Sequence, residues 1–318
     1  MKKYINKVTT IVNLKIIKTI LFLLHFGLLN STFSQTLFNF PEGIQFGISV
    51  EKAQKELLTI SNSTEIVKNS DISFPLSKNE ETHLIANSTI LRTGTLDRVV
   101  FTFSDDKLVY IEAMGDMQKI FLSNIKVSPQ IYMGYSVYVQ ELFFVFINKN
   151  KAWFLTPEAT HLGLFTWNNP LLDKSNELKK YTTSVSLPEF IHMGKSMEEL
   201  LPKFNEKGKL TQLDTLDGSD PNAQFQINCY GIEYAGFPRK FEARFGNNKL
   251  NKVWILTGKE EEGRLREMLI ELYGKPIFIN EDWEFFDGWK VGLRKDIPEV
   301  LYINEELGNY YKKTLKEE

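Results

Sequence analysis

From Ser49 to Leu58 the apolar residues Val50, Ala53, Leu57 and Leu58 share one helical face, with Lys52, Lys55 and Glu56 opposite. This pattern predicts a short amphipathic helix with Ser49 as its N-cap. A polar stretch rich in Asn and Ser follows, to about Ser88, and shows no period. Residues 99–103 and 108–113 then carry strand-type density around Ser104-Asp105-Asp106-Lys107, which predicts a hairpin. Met117, Ile120, Phe121 and Ile125 keep helical spacing up to Pro129, over a run short enough to suit a strand as well. Residues 142–147 and 152–155 flank Asn148-Lys149-Asn150-Lys151 as a second hairpin, and 162–167 reads as a further strand.

The pattern then starts again. Ser196 and Glu199 form a capping box ahead of Met197, Leu200, Leu201 and Phe204 on one face, and Pro202 inside that helix is expected to shorten or kink it. After the acidic, turn-rich stretch 214–222 come strands at 224–228, 241–245 and 250–257. Leu265, Met268, Leu269 and Leu272 make the clearest helical stripe of the chain, closed by Gly274 and Pro276. Strands at 278–286 and 289–294 flank Asp287-Gly288, a pair suited to a two-residue type I′ turn, and 299–303 is expected to close the sheet.

Two phrases tie the halves together. Pro41 to Glu51 and Pro188 to Glu198 agree at six of eleven positions, each placing Pro-Glu-x-Ile before Gly-x-Ser. Phe-x-x-x-Lys-Leu then recurs across a hairpin turn, at Phe103 to Leu108 and Phe245 to Leu250. A looser third match sets Trp153 and Gly163-Leu164 against Trp283 and Gly292-Leu293. Collinear matches of this kind mark an internal repeat. The fold class is therefore α+β, with two tandem related modules after a signal peptide, each a short Ser-capped helix plus a hairpin-built antiparallel sheet. The expected boundaries are 1–34 for the signal peptide, 35–171 for the first module and 172–184 for a connector. The second module takes 185–312 and a polar tail takes 313–318. One continuous α+β domain with a coincidental phrase is the competing reading.

The Gly-x-Ser-x-Glu helix starts at Gly47 to Glu51 and Gly194 to Glu198, each followed by hairpins, resemble the small α+β module of the outer-membrane assembly lipoproteins and the tandem repeats of the β-lactamase inhibitor proteins. The lipobox cysteine of the first group is missing here, and Tyr273-Gly274-Lys275-Pro276 follows the second helix and not the first. The resemblance implies modules that act by binding proteins. It assigns no contact residue.

The first thirty-four residues carry Lys2, Lys3, Lys7, Lys15 and Lys18, no acid, and an apolar run from Thr19 to Leu29 that is too short to span a bilayer. They read as a secretory signal peptide cleaved before Gln35, with an uncleaved anchor as the alternative. Removing those five lysines from the 38 basic residues leaves 33 against 40 acidic ones, so the mature chain has no general attraction for nucleic acid or anionic lipid. Cys229 is the only cysteine, which excludes an internal disulfide and leaves stability to the core. The expected location is the periplasm or outside of a bacterial cell, with no stable membrane span after cleavage and another envelope or secreted protein as the partner.

No phosphate loop, dinucleotide fingerprint, Gly-x-Ser-x-Gly elbow or zinc spacing occurs, so no cofactor or metal is implied. Glu158 and His161 would face one ligand if Pro157 opened a helical turn, and His83 lies near Glu80 and Glu81. Both are commoner as surface pairs than as acid–base sites. His192 sits inside the repeated phrase, Cys229 reads as a buried small hydrophobe, and Asp214 to Asn222 lacks the alternation of a calcium loop. Its Asp214-Thr215-Leu216 also matches a short bacterial O-glycosylation pattern. Phe286 and Trp289 are the candidate binding residues: aromatics beside a hairpin tip form a platform if exposed, and an ordinary cross-strand pair if not. The sequence thus favours an exported, non-enzymatic binding or interaction protein. An envelope hydrolase using a carboxylate with His161 or His192, and an outer-membrane assembly or structural factor, are the alternatives.

Overall fold

The computed structural model describes residues 40–317, apart from 71, 73, 124, 126, 127, 139–142 and 174–183. The signal peptide at 1–34 and most of the connector at 172–184 lie outside the described residues.

In the first half, helix α1 (Val50–Leu57) leads into β1 (Ser61–Asn69), β2 (Glu81–Leu91), β3 (Gly94–Ser104) and β4 (Lys107–Gly115). A single π-helical turn, Gln118–Leu122, precedes β5 (Gln130–Tyr132), β6 (Tyr135–Tyr138), β7 (Phe143–Phe146) and β8 (Lys151–Leu155). The short helix α2 (Pro157–His161) follows. In the second half, α3 (Met197–Lys207) precedes β9 (Leu210–Thr215), β10 (Phe225–Tyr234), β11 (Phe237–Gly246) and β12 (Lys249–Leu256). After α4 (Glu262–Tyr273) come β13 (Phe278–Ile279), β14 (Trp283–Phe286), β15 (Val291–Arg294), β16 (Glu299–Ile303) and the last helix, α5 (Glu305–Glu317).

Each half builds one eight-stranded antiparallel sheet, and the two follow the same path. The first is ordered β1-β2-β3-β4-β8-β7-β6-β5; the second, read from its β9 edge, is β9-β10-β11-β12-β16-β15-β14-β13. The repeated phrases are hydrogen-bonded to each other in both. Gly47 N–H donates to the Leu108 carbonyl at 2.9 Å and Leu108 N–H to Ile48 at 3.0 Å; Gly194 donates to Leu250 at 2.8 Å and Leu250 to Lys195 at 2.8 Å. Both glycines stand at positive φ, 84° and 83°, which explains why that position does not vary between the copies. The hairpin turns also agree: Asp105 and Asp106 have φ of 49° and 58°, Asn247 and Asn248 of 53° and 54°, the type I′ geometry that Asp and Asn tolerate best. The second turn residue then reaches back to cap the helix. Asp106 Oδ1 accepts the Val50 N–H at 2.9 Å, and Asn248 Oδ1 accepts that of Met197 at 3.5 Å.

One core lies between α1 and the first sheet, around Leu84, Phe101, Phe121 and Phe154. Its counterpart packs α3 and α4 on the second sheet, around Phe204, Phe241, Leu265 and Leu269. The reverse face of the second sheet is covered in part by α5, through Trp254, Phe285, Trp289 and Leu307. Because each sheet has side chains buried on both faces, alternation is a poor guide to its strands.

Several expectations are corrected. The polar stretch before Ser88 holds β1 and most of β2: β1 is an edge strand, and the Thr82 and His83 of β2 are buried against other polar groups, so neither shows apolar alternation. Residues 164–166 form a 3-10 turn after Gly163 and not a strand. Strand β16 lies in the middle of its sheet, between β12 and β15. Helix α3 continues through Pro202 to Lys207. Helix α5 runs through 313–317, the supposed tail, and packs Leu315 against the apolar cluster. The third match fails, since Trp153 is on β8 and Trp283 on β14, which are not equivalent strands.

Candidate functional site

The two sheets meet through aromatic side chains. Phe74 and Trp167 of the first half pack on Phe237 of the second with ring centres 5.7 and 5.3 Å apart, and Phe165 packs on Tyr230 at 5.5 Å. Helix α2 is set against this junction by its own sequence. Pro157 occupies the first turn, the Thr156 hydroxyl caps the Ala159 N–H, and Gly163 ends the turn at φ 72°. A Cβ at Gly163 would lie 2.6 Å from the Tyr230 ring, so only glycine lets the chain approach so closely.

Beside the junction is a cleft of about 250 Å³. Pro157, Glu158 and His161 line it from the first half, and Thr257, Lys259, Asp296, Ile297 and Pro298 line it from the second. The charges there are mixed: Glu158 and Lys259 are exposed at the rim, while Asp296 is held by Arg294 through two hydrogen bonds of 2.7 and 2.8 Å. That grip keeps the Asp296 carboxyl below the usual range. Burial, and then the positive charge of Lys240, hold the His161 imidazole pKa down, against the pull of Glu242 and the Pro298 carbonyl. The ring is therefore neutral at pH 7. Two of the lining residues each bury a side-chain atom with no hydrogen-bond partner among the described residues, His161 Nε2 and Thr257 Oγ1. Thr257 is 1% exposed.

Lys240 and Glu242, whose charges act on His161, belong to a chain of polar groups on the second sheet. Lys240 and Arg244 both bond Glu242, Arg244 bonds Gln226, Gln226 bonds Asn228, and Asn228 bonds Asp214. Burial works to raise the Glu242 pKa, but Lys240 and Arg244 outweigh it and hold the group low. Glu299 is the opposite case: burial, and then the charge of Glu242, push it up to about 7.

The sequence candidates are dispersed. Phe286 is fully buried in the core beneath α4, and Trp289 is 5% exposed under α5, so the two belong to different apolar clusters and form no exposed platform. The expected two-residue turn between them is a four-residue loop, because Phe286 pairs with Val291. Asp287, Gly288 and Trp289 all have positive φ, and stacking on Phe285 at 4.8 Å holds Trp289 in that strained position. His83 is buried and bonded to Glu81 at 2.9 Å and Thr102 at 3.0 Å, out of reach of a substrate. His192 is exposed. Cys229 is buried, and burial pushes its thiol up to about 11. Asp217 and Asp220 cap their own turns, and Asp220 also pairs with Lys252. Among the described residues no group of three or more His, Cys, Asp or Glu could hold a metal ion.

Glu158 and His161, paired from the sequence on the strength of Pro157, do share the cleft. Thr257, Lys259, Asp296 and Pro298 carry no local signal and meet α2 only through the fold. No known protein family, curated protein or solved structure matches the chain.

Proposed function

We propose that this chain is an exported, non-enzymatic binding protein that holds its ligand in the cleft between the two modules. The observation that carries this is one cleft of about 250 Å³ that both halves line, Pro157, Glu158 and His161 from the first and Thr257, Lys259, Asp296, Ile297 and Pro298 from the second. A concave site with mostly apolar walls and a few polar groups is the usual form of a small-ligand pocket. The chemistry for hydrolysis is weaker. The one acid beside His161 that is firmly placed, Asp296, is already neutralised by Arg294, and Nε2 meets no carboxylate. The likeness of the helix starts to modules that act by binding proteins points the same way.

The test uses the mature protein and ligand-observed NMR against a fragment set and a small-molecule extract of bacterial envelopes. Ile297→Trp, at an exposed position on the cleft wall, fills the cavity without touching either core. Binding is expected to wild type and to be lost in I297W. If no compound shows binding that depends on the cleft, the proposal fails.

A further inference from the structure

One motif of the sequence has no role in the cleft. Asp214-Thr215-Leu216 matches the short pattern at which some bacteria attach sugars to exported proteins, an Asp followed by Thr or Ser and then an apolar residue, and no other Asp in the chain precedes a Thr or Ser. Thr215 is the last residue of β9, an edge strand of the second sheet that pairs with β10 alone. It is exposed, and the turn that follows exposes Asp217, Gly218, Ser219 and Pro221, so the hydroxyl stands where an enzyme can reach it. Asp214 points to the other face of the strand and is fixed there, accepting from Gln212 and from Asn228 at 2.7 Å each.

The same edge gives a physical reason for covering it. Sheet edges are ordinarily guarded against pairing with a second chain, by charged side chains, Lys above all, or by Pro. Strand β1, the matching edge of the first sheet, carries Glu65 and Lys68, both exposed. Strand β9 has no Lys, Arg or Pro, and its one acid is tied down. Thr215 stands opposite Phe225 and Leu213 opposite Ile227, so by strand alternation Thr215, Leu213 and Phe225 share a face. Leu213 is 44% exposed and Phe225 37%, which places the Thr215 hydroxyl at the margin of an uncovered apolar edge.

We infer that Thr215 is an O-glycosylation site, and that its glycan covers this edge. The inference rests on the export proposed above and is independent of what the cleft binds. A glycan is bulky and solubilising, so one at Thr215 does for β9 what Glu65 and Lys68 do for β1. In the transfer, Thr215 Oγ attacks the anomeric carbon of a sugar carried on a lipid diphosphate. The new carbon–oxygen bond replaces the bond to phosphate, the phosphate leaves with that electron pair, and the hydroxyl proton passes to a base of the transferase.

The test expresses the full chain in a bacterium that glycosylates exported proteins at this pattern. Mass spectrometry then reads the intact chain and its tryptic peptide 210–239, which holds Thr211, Thr215 and Ser219 together. The expected result is a chain cleaved before Gln35 with the added mass of a glycan, localised to Thr215 by fragmentation of that peptide. Thr215→Ala, which removes only an exposed hydroxyl, should lose the added mass, and Thr215→Ser, which keeps the hydroxyl and the pattern, should retain it. Asp214→Ala should also lose it, because the pattern is broken while the acceptor remains. A cleaved chain at its unmodified mass, a glycan on Thr211 or Ser219, or a glycan retained by T215A or D214A overturns the inference and leaves export standing. An uncleaved, unmodified chain sinks both.

Discussion

Glu112 offers the sharpest test of how the first sheet is packed. It lies on β4, fully buried, with Oε2 accepting the Asn169 N–H at 2.8 Å and Oε1 facing Lys151 Nζ at 3.6 Å. Burial pushes its pKa up to about 7, although Lys151 and the Asn169 N–H pull it down; Asp173 adds to the rise. Moving a carboxyl from 4.5 to about 7 corresponds to about 3 kcal/mol. The direction follows from which state binds the proton more tightly. Below pH 4.5 both states are protonated and ionisation costs nothing. Between 4.5 and 7 the unfolded chain ionises first, so stability falls as pH rises, and above 7 the full cost is in place. Glu112→Gln removes this titration and keeps an acceptor for Asn169. Its amide nitrogen near Lys151 costs something at every pH, so only the change with pH is diagnostic. Thermal melts of wild type and E112Q from pH 4.5 to 8 should show E112Q gaining on wild type by roughly 6–12 °C, at about 2–4 °C per kcal/mol for a chain of this size. Other titrating groups are common to both proteins and cancel. A gap that stays constant across this range would refute the buried, proton-retaining Glu112.

Three further outcomes are expected. Glu261 is buried and accepts from Arg239 at 2.8 and 2.5 Å, from Gly258 N–H at 2.7 Å and from Arg264; E261Q should cost about 3–5 kcal/mol in denaturant melts at pH 7. Burial opposes ionisation there, but the arginines outweigh it and hold the pKa low, so the difference should shrink as pH falls below the ordinary carboxyl range. A loss under 1 kcal/mol at pH 7 would show that the pair is not a buried one. Asp106→Ala and Asn248→Ala each remove a turn side chain that caps a helix, and each should cost about 1 kcal/mol; a large effect in one copy and none in the other would break the equivalence of the turns. Cys229, buried and with its thiol pushed up to about 11, should resist maleimide until the chain unfolds. Rapid labelling of the native protein would place it elsewhere.

What the sequence made legible was local. The glycine at positive φ, the Ser cap and the Asp-Asp or Asn-Asn turn are residues that one backbone conformation demands, so they survive in both copies and can be matched by eye. The helix α4 stripe and its Gly274 stop are legible for the same reason. What stayed hidden depends on distant partners. Strand β2 buries Glu81, Thr82 and His83, which are tolerable inside only because Thr102 and the Phe74 N–H meet them. Trp289 takes a conformation that bulky residues avoid, and Phe278, Phe285 and α5 compensate for it. Gly308 permits that contact, since a Cβ there would lie 2.9 Å from the Trp289 carbonyl. None of these partners stands beside its residue in the chain.

The cleft belongs to the same hidden class, and its position says why the repeated phrase carries no chemistry. Both copies use the phrase to fasten a helix start to a hairpin, and the strand order that follows is common to both. The copies diverge after β4 and β12, where one has a π-helical turn and the other α4, and after β8 and β16, where one has α2 and the other α5. The cleft draws on these divergent places and on one hairpin turn of the second sheet. It takes Pro157, Glu158 and His161 from the segment after β8, Thr257 and Lys259 from the segment after β12, and Asp296 to Pro298 from the turn before β16. Because α2 occurs only in the first copy and the segment from Thr257 to α4 only in the second, the cleft that they line has no counterpart related by the repeat. The conserved frame fixes where the segments start, and their divergence supplies the groups that a ligand would meet.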